Sequence, residues 1–318
     1  MEDPRQNQSA IPVILVNIFA VFFACVYALP VFFYDEKPVA KPDSSVIVAP
    51  PKPDPFLGIS LEADAVYVYD TVNGKALFAK NEEAQLPLAS VTKVMTALVA
   101  SHAPENTMVK VDERSLADGP GGLSLGEKWD LKTLLNYTLV VSSNSGASAI
   151  AGAAGAVLSD ESGILGDGED IFVDQMNKTA KRLGLEQTYY LNPSGLDVND
   201  DLSGAYGSAK DMAELFDYIL KMKPSLLSAT AYDTSRYDSL NGVSHRAVNT
   251  NVLARSVPGL LASKTGYTLL ANGNLVIAFD VGPMHPVIVA VLGSTQEGRF
   301  TDVEKLVNAS IKKISQGE

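Results

Sequence analysis

The hydrophobic pattern from about Phe56 onward alternates short strand-like stretches with longer helix-like ones. Two apolar stretches, residues 65–69 and 76–79, flank Asn73-Gly74, a pair that adopts the positive φ angles of a tight turn and so predicts a β-hairpin. Helical spacing of apolar residues predicts helices over residues 88–101, 131–141, 172–183, 208–222 and 301–314. Strand-like runs follow late in the chain, at residues 260–267, 274–280 and 286–292.

Strands near both ends of this region, with helices between them, predict an α+β fold. In such a fold the terminal segments share one antiparallel sheet. Residues 152–170 combine several Ala and Gly with five acidic side chains. We expect this segment to be a mobile surface connection.

Residues 11–34 contain no charged side chain and are almost wholly apolar. A helix over this run is about 35 Å long, enough to cross the ~30 Å hydrocarbon core of a bilayer with some tilt. We therefore predict a single transmembrane anchor. Two alternatives are a signal peptide cleaved after Ala28 and a lipid attached to Cys25.

With this anchor, the sequence predicts five consecutive segments. A short tail, residues 1–10, precedes it, and a proline-rich linker, residues 35–56, follows it. We expect one globular domain over residues 57–314 and a tail at residues 315–318. Lys37 and Lys41 follow the anchor, and only Arg5 precedes it. Because positively charged loops tend to stay in the cytoplasm, this count slightly favours a cytoplasmic location for the domain.

Composition narrows the classes of function. The chain of 318 residues has a net charge of −12, which disfavours binding to nucleic acid or to an anionic membrane surface. Cys25 is the sole cysteine, and the three histidines are far apart in sequence. The sequence therefore predicts no disulfide, no metal site and no cofactor, and it leaves the oligomeric state open.

Ser90 and Lys93 lie three residues apart at the start of a predicted helix. This spacing puts both on one helix face, so a neutral lysine amine is able to take the serine hydroxyl proton and make a nucleophile without histidine. A Ser-x-x-Lys is expected about once by chance in a chain of this length. On its own it also fits a helix serine beside an exposed lysine.

Two further motifs accompany this pair. Ser142 and Asn144 form a polar break after an apolar helix, which alone also fits an ordinary helix-terminating turn. Lys264-Thr265-Gly266 lies inside an apolar strand. A buried lysine is costly there without an anion, and the glycine leaves room for a ligand along the strand edge.

The three motifs, in this order, resemble the set carried by penicillin-binding proteins and serine β-lactamases. The surrounding residues 88–98, 172–197 and 264–268 are similar to the low-molecular-mass D-alanyl-D-alanine carboxypeptidases of bacterial walls. The likeness covers roughly residues 58–312. It implies a penicillin-binding protein/β-lactamase-like transpeptidase fold, with an antiparallel sheet flanked by helices plus a helical subdomain, for the catalytic domain at 57–314.

The resemblance implies roles for four residues at the reacting centre. Ser90 becomes acylated by the penultimate D-alanine, and Lys93 is its base. Ser142 relays a proton towards the leaving D-alanine. Asn144 holds the substrate amide and Lys93.

The same resemblance implies the residues that bind the substrate terminus. Lys264 and Thr265 receive the terminal carboxylate beside Gly266. The backbone N–H groups of Ser90 and Tyr267 form an oxyanion hole. Arg299 matches a family arginine near the carboxylate, although it also fits a surface arginine.

The sequence departs from the family pattern at three positions near these motifs. Thr250 stands where the middle residue of Asn-x-Asn is often basic, which puts part of the carboxylate recognition in doubt. Ser143 and Ser145 stand where the family usually has Gly and Asp. We expect these two to alter the entrance to the site more than its reaction.

The resemblance predicts a serine D-Ala-D-Ala carboxypeptidase acting on peptidoglycan stem peptides, with β-lactams as covalent inhibitors. Together with the apolar run at residues 11–34, this activity predicts a single-pass protein of the cell membrane with an extracytoplasmic catalytic domain, because peptidoglycan lies outside that membrane. The alternatives are a peptidoglycan D,D-endopeptidase, a serine β-lactamase and an inactive wall-binding module. Fast β-lactam hydrolysis is disfavoured because Glu186 and Leu191-Asn192 have the wrong spacing for the Glu-x-x-Leu-Asn loop of one β-lactamase class.

Overall fold

A computed structural model describes residues 52–119, 121–163 and 165–317. The predicted tail at 1–10, the anchor at 11–34 and most of the linker at 35–56 lie outside these residues. Within the described ranges, no helix has the length and apolar character needed to cross a membrane.

The described residues form twelve strands and six α-helices. The strands are β1 (Ala65–Asp70), β2 (Lys75–Lys80), β3 (Leu86–Pro87), β4 (Met108–Lys110), β5 (Lys128–Asp130), β6 (Tyr189–Tyr190), β7 (Ala205–Gly207), β8 (Thr234–Asp238), β9 (Ser244–Val248), β10 (Leu260–Thr268), β11 (Asn272–Asp280) and β12 (Pro286–Ser294). The helices are α1 (Lys93–Ala100), α2 (Leu131–Val141), α3 (Asn144–Ser162), α4 (Gly168–Leu183), α5 (Ala209–Met222) and α6 (Gly298–Ser315). Short 3₁₀ turns cover Ala89–Thr92, Ser228–Ala231 and Val252–Arg255.

The main sheet has five strands in the order β10-β11-β12-β1-β2, and every neighbouring pair is antiparallel. The predicted α+β fold with terminal strands in one sheet is confirmed. The β1–β2 hairpin is confirmed as well: Asp70 accepts from the backbone N–H of Asn73, and Gly74 has a φ of 63°. Strand β10 lies at one edge of the sheet, where the 3₁₀ turn Ser228–Ala231 covers part of it: the backbone N–H of Ser263 donates to Thr230 Oγ1.

Two hydrophobic cores lie on opposite faces of this sheet. Along β11, Leu275 and Ile277 belong to one core together with Val303 of α6. Val276 and Ala278 belong to the other core, which includes the buried sides of α1, α2 and α5. Successive strand residues point to opposite faces, so the continuous apolar run of β11 serves both layers.

The expected mobile connection over residues 152–170 is wrong for most of its length. Residues up to Ser162 continue α3, and α4 already begins at Gly168. Alanine is the best helix former, and small side chains let two helices approach closely. A Cβ on Gly155 would overlap the carbonyl oxygen of Gly168, which shows how tightly the two helices pack.

Three predicted helices are present with shifted starts. The helix predicted from residue 88 opens as a 3₁₀ turn at Ala89–Thr92 before α1. Helix α4 starts earlier than predicted because Asp167 accepts from the backbone N–H groups of Glu169 and Asp170 and so caps it. Helix α6 likewise starts three residues early, at Gly298.

Candidate active site

Ser90 and Lys93 meet as their spacing predicts. Lys93 Nζ lies 2.8 Å from Ser90 Oγ, and it also donates to Asn144 Oδ1 at 2.8 Å and to the carbonyl oxygen of Ser194 at 2.7 Å. The amide and carbonyl oxygens only accept hydrogen bonds. In a neutral lysine, the two N–H bonds therefore go to Asn144 and Ser194, and the lone pair faces the hydroxyl of Ser90.

The surroundings favour this neutral form. Lys93 is fully buried, and burial holds its pKa well below the usual range for lysine. The positive charge of Lys264 lowers the pKa of Lys93 further, while the carboxylate of Asp118 acts in the opposite direction. Lys93 thus has the position and the electrostatic environment of a general base.

Ser142 occupies the predicted polar break between two helices. It ends α2 in the left-handed region, with a φ of 63°, and Ser143 then caps α3 by accepting from the backbone N–H of Gly146. Asn144 is consequently the first residue of α3 and faces Lys93. Non-glycine residues in this region are strained, and strain of this kind concentrates at functional sites.

Lys264 extends from β10 to the same point. Its Nζ donates to Ser142 Oγ at 2.9 Å and to the carbonyl oxygen of Thr265 at 2.8 Å, both neutral acceptors. Burial lowers the pKa of Lys264, and the positive charge of Arg299 lowers it further, to about 7. A buried cation with neutral partners is stabilised by an incoming anion, so this end of the site suits a carboxylate.

Gly266 lets β10 approach the nucleophile closely. A Cβ at this position would lie 2.8 Å from the carbonyl oxygen of Leu88 and 3.2 Å from the backbone nitrogen of Ser90. From β11, Asn274 Nδ2 donates to the carbonyl oxygens of Pro87 and Leu88. These contacts hold the Ser90 backbone against the edge of β10, the strand that also carries Tyr267, the other residue of the expected oxyanion hole.

Arg299 and Thr250 border the Lys264 end of the site. Arg299 is buried, its Nη1 donates to the carbonyl oxygen of Gly266 at 2.7 Å, and its guanidinium lies 4.7 Å from the ring centre of Phe300. The surface alternative for this arginine is therefore wrong. Thr250 places its hydroxyl 2.5 Å from that of Thr265, so the middle residue of Asn249-Thr250-Asn251 brings a neutral hydroxyl to this end of the site.

The structure adds a loop that the motifs did not identify as part of the site. Asn192 Oδ1 accepts from the backbone N–H groups of Ser194 and Gly195 and so shapes the turn. The turn presents the carbonyl oxygen of Ser194 to Lys93, and that of Pro193 accepts from Thr96 of α1 at 2.6 Å. The Asn-Pro-Ser-Gly sequence signals a turn, but nothing local shows what it contacts.

A second addition is the segment between β4 and β5, residues 111–127. Ser145 Oγ donates to the carbonyl oxygen of Gly119, and a Cβ on Gly121 would overlap Ser143 Oγ. The two serines that depart from the family pattern thus hold this segment against the Ser142–Asn144 wall. Both serine side chains are buried, and their hydrogen bonds join Gly119 and Gly146, not Ser90 or Lys93.

Comparisons with known proteins match the described domain. The family model for peptidase S11, described as D-alanyl-D-alanine carboxypeptidase, matches residues 49–296. D-alanyl-D-alanine carboxypeptidase DacF of Bacillus subtilis is 31% identical over 258 residues, which cover 78% of this chain and 61% of DacF. D-alanyl-D-alanine carboxypeptidase DacB2 of Mycobacterium tuberculosis is 31% identical over 237 residues, which cover 73% of this chain and 75% of DacB2.

A solved structure shows the same fold. Penicillin-binding protein D2 from Listeria monocytogenes, in its cefotaxime-bound form, is 29% identical, with a TM-score of 0.66. The match covers 79% of this chain and 98% of that one. The predicted penicillin-binding protein fold is confirmed for the residues that the structure describes, whereas the anchor at 11–34 stays a prediction.

Proposed function

The chain belongs to the peptidase S11 family of D-alanyl-D-alanine carboxypeptidases, and we propose that it removes the terminal D-alanine from peptidoglycan stem peptides through an acyl-enzyme on Ser90. The chain spans about three fifths of the length of DacF, and the activity named for that relative supports the proposal. The observation that carries the proposal is the buried Lys93 amine, 2.8 Å from Ser90 Oγ, with its other two hydrogen bonds directed to obligate acceptors.

Acylation starts when neutral Lys93 takes the hydroxyl proton of Ser90. The Ser90 oxygen attacks the carbonyl carbon of the penultimate D-alanine, and the backbone N–H groups of Ser90 and Tyr267 stabilise the oxyanion that forms. As the C–N bond breaks, Ser142 relays the proton from Lys93 to the leaving nitrogen. The products of this step are free D-alanine and an ester on Ser90.

Deacylation reverses these roles with water as the nucleophile. Lys93, neutral again, takes a proton from water, and the hydroxide attacks the ester carbonyl. The C–O bond to Ser90 breaks, and Lys93 returns the proton to the serine oxygen. The shortened peptide leaves with a new terminal carboxylate, and Ser90 is restored.

The charged end of the site selects substrates with a free C-terminus. The carboxylate of the terminal D-alanine replaces neutral oxygens as the partner of Lys264 and also accepts from the hydroxyl of Thr265. Arg299 contributes positive charge from behind Gly266. A cross-linked endopeptidase substrate differs in what is attached to the departing D-amino acid, so the two activities are separable by experiment.

We infer covalent inhibition by β-lactams from the same geometry, because their strained amide and carboxylate fit the Ser90 and Lys264 ends. A fluorescent penicillin is expected to label the full chain at Ser90. Ser90→Ala should abolish both labelling and peptidase activity, whereas Ser101→Ala, at the far end of α1, should retain both. An adduct mapped by mass to a different serine would overturn the mechanism.

Two peptide substrates separate the competing activities. Incubation with a pentapeptide ending in D-Ala-D-Ala should release D-alanine, and a cross-linked peptide dimer should be cut much more slowly. Efficient cleavage of the dimer would favour an endopeptidase. Rapid release of hydrolysed penicillin would favour a β-lactamase, and labelling without any cleavage would indicate a wall-binding module.

We also propose that residues 11–34 anchor the protein in the cell membrane, with the catalytic domain outside the cytoplasm. The charge-free apolar run supports the anchor, and the location of peptidoglycan outside the membrane outweighs the slight loop-charge bias. The domain should stay with the membrane fraction and be cut by protease added to cells with a permeabilised outer surface. A secreted product beginning near Leu29 would identify a cleaved signal instead.

A further inference from the structure

Two short antiparallel ribbons, β4–β5 and β8–β9, each place two cations directly opposite one another. The register pairs Arg236 with Arg246 in β8–β9, and it pairs Lys110 with Lys128 in β4–β5. All four side chains are exposed. Like charges in directly opposed positions destabilise a ribbon. Both ribbons thus carry an electrostatic cost that a ligand with negative charge relieves.

The two ribbons turn these cations to one outer surface. Their inner faces meet, because the ring centres of Trp129 in β5 and His245 in β9 lie 5.0 Å apart. Successive strand residues point to opposite faces, so the neighbouring Lys128 and Arg246 point outward. The backbones also join, since the N–H of Leu240 donates to the carbonyl oxygen of Lys128 at 2.7 Å. We call this outer surface the basic face; it consists of Lys110, Lys128, Arg236 and Arg246.

The side chains of the basic face form no ion pair with any carboxylate in the described part of the chain. Other exposed arginines do pair: Arg114 with Asp167, and Arg255 with Asp233. Asp238 lies on the same outer side of β8, but it does not pair with the basic face either. Because the whole chain has a net charge of −12, this concentration of cations is a local feature.

The basic face continues into the Lys264 end of the active site. Strand β9 ends at Val248, and two residues later Thr250 places its hydroxyl beside that of Thr265. Under the proposed function, this end receives the terminal carboxylate and releases D-alanine. A polymeric substrate extends beyond the one peptide held in the site, so its neighbouring peptides are able to reach the basic face.

We propose that the basic face is a second binding site for the peptidoglycan polymer, where it holds carboxylates of peptides next to the one being cut. This inference rests on the proposed function, under which every substrate peptide ends in a free carboxylate and the polymer carries many of them. Arginine and lysine bind carboxylates through charge-assisted hydrogen bonds. Linked contacts raise the local concentration of the second group, so weak exposed contacts suffice to retain a polymer. A peptide of three residues occupies the Ser90 site alone.

The test compares the polymer with a short peptide. Release of D-alanine by the full chain gives kcat/KM for isolated peptidoglycan rich in D-Ala-D-Ala stems and for Nα,Nε-diacetyl-L-Lys-D-Ala-D-Ala. The double variant Arg236→Gln/Arg246→Gln should lower the polymer value by about 3- to 10-fold, mainly through KM, and keep the peptide value within about 2-fold. In about 0.5 M salt, the unmutated protein should lose the same advantage on the polymer.

Further variants separate this effect from a general loss of charge or of stability. Lys110→Gln/Lys128→Gln should weaken polymer turnover in the same way. Lys181→Gln/Arg182→Gln, which removes two exposed cations from the end of α4, should keep both values. The double arginine variant should not lower the Tm, because it removes a repulsive pair.

Binding is also measured without turnover. The full chain with Ser90→Ala should pellet with insoluble peptidoglycan, and less of it should pellet when Arg236 and Arg246 are also substituted. Unchanged polymer turnover and binding in the arginine variant, or an equal loss in the α4 control, would overturn the proposal. An arginine variant that keeps the polymer but loses a preference for phosphatidylglycerol over phosphatidylcholine vesicles would assign the face to lipid instead. Intact polymer binding without release of D-alanine from either substrate would count against the proposed function itself.

Discussion

The close approach of β10 to the nucleophile gives a sharp prediction for Gly266→Ala. The added Cβ would lie 2.8 Å from the carbonyl oxygen of Leu88 and 3.2 Å from the backbone nitrogen of Ser90. These are backbone atoms, so no side chain is able to rotate away. The Leu88 carbonyl is also held by hydrogen bonds from Asn274 Nδ2 and the backbone N–H of Val91, at 3.1 and 3.2 Å.

The magnitude follows from this geometry. A relaxed contact of a carbon atom is about 3.5 Å, so β10 has to move away from Leu88 by roughly 0.7 Å. A misplacement of about 1 Å is able to cost about 100-fold in rate, so we expect acylation to slow by about 10- to 30-fold. Overpacking of this kind also lowers the free energy of unfolding by about 1–3 kcal/mol.

The assay is the second-order rate constant for acylation by a fluorescent penicillin, with thermal unfolding measured in parallel. Gly259→Ala is the matched control: its Cβ would lie 2.7 Å from the carbonyl oxygen of Asp280, at the opposite end of β10 and at a φ of 65°. We expect this control to lose stability and to keep its acylation rate within about 2-fold. Equal slowing in both variants, or no slowing in Gly266→Ala, would refute the reasoning.

Three further changes test other parts of the structure. Lys264→Ala should lower kcat/KM for peptides with a free C-terminus by about 10- to more than 100-fold, because a charge-assisted contact is lost. A peptide amidated at its C-terminus should be a poor substrate already and change little. Lys264 is cationic below its pKa of about 7, so in the unmutated protein the alkaline fall of kcat/KM should begin near that pH. Lys264→Arg should move this fall to higher pH, since a guanidinium stays charged. Asp302→Asn should lower the free energy of unfolding by about 1.5–3 kcal/mol in urea denaturation, because the buried carboxylate accepts from the backbone N–H of Ala63 and from Ser294 Oγ.

Elements set by contacts within a few residues could be predicted from the sequence. The Asn73-Gly74 turn and the helix end at Gly184, which has a φ of 74°, depend on backbone conformations that glycine adopts easily. The sheet was predictable because its strands either alternate apolar and polar residues or consist of continuous apolar residues. Residues 152–162 were mispredicted, since their Ala and Gly become helical by packing α3 against α4, a contact that composition alone does not reveal.

The residues at the reacting centre could be identified from three short motifs. Ser90 and Lys93 are one helical turn apart, so their contact is local, and the order of the motifs indicated that Ser142, Asn144 and Lys264 would join them. The burial of Arg299 was not decided by sequence, because its neighbours Gly298 and Phe300 also fit a surface turn. Its contact with Gly266 exists only once α6 packs on the sheet.

The sequence by itself predicted Ser90 as the nucleophile and Lys93 as its base, through the resemblance that its three motifs carry, and it predicted the antiparallel sheet from the spacing of apolar residues along the strands. Tertiary structure alone decided the surroundings that suit Lys93 to act as a base. Its partner Ser194 lies 101 residues away, and its low pKa comes from burial by chain segments that meet only on folding. Desolvation and charge proximity are properties of the assembled chain, so spacing in the sequence does not reveal them.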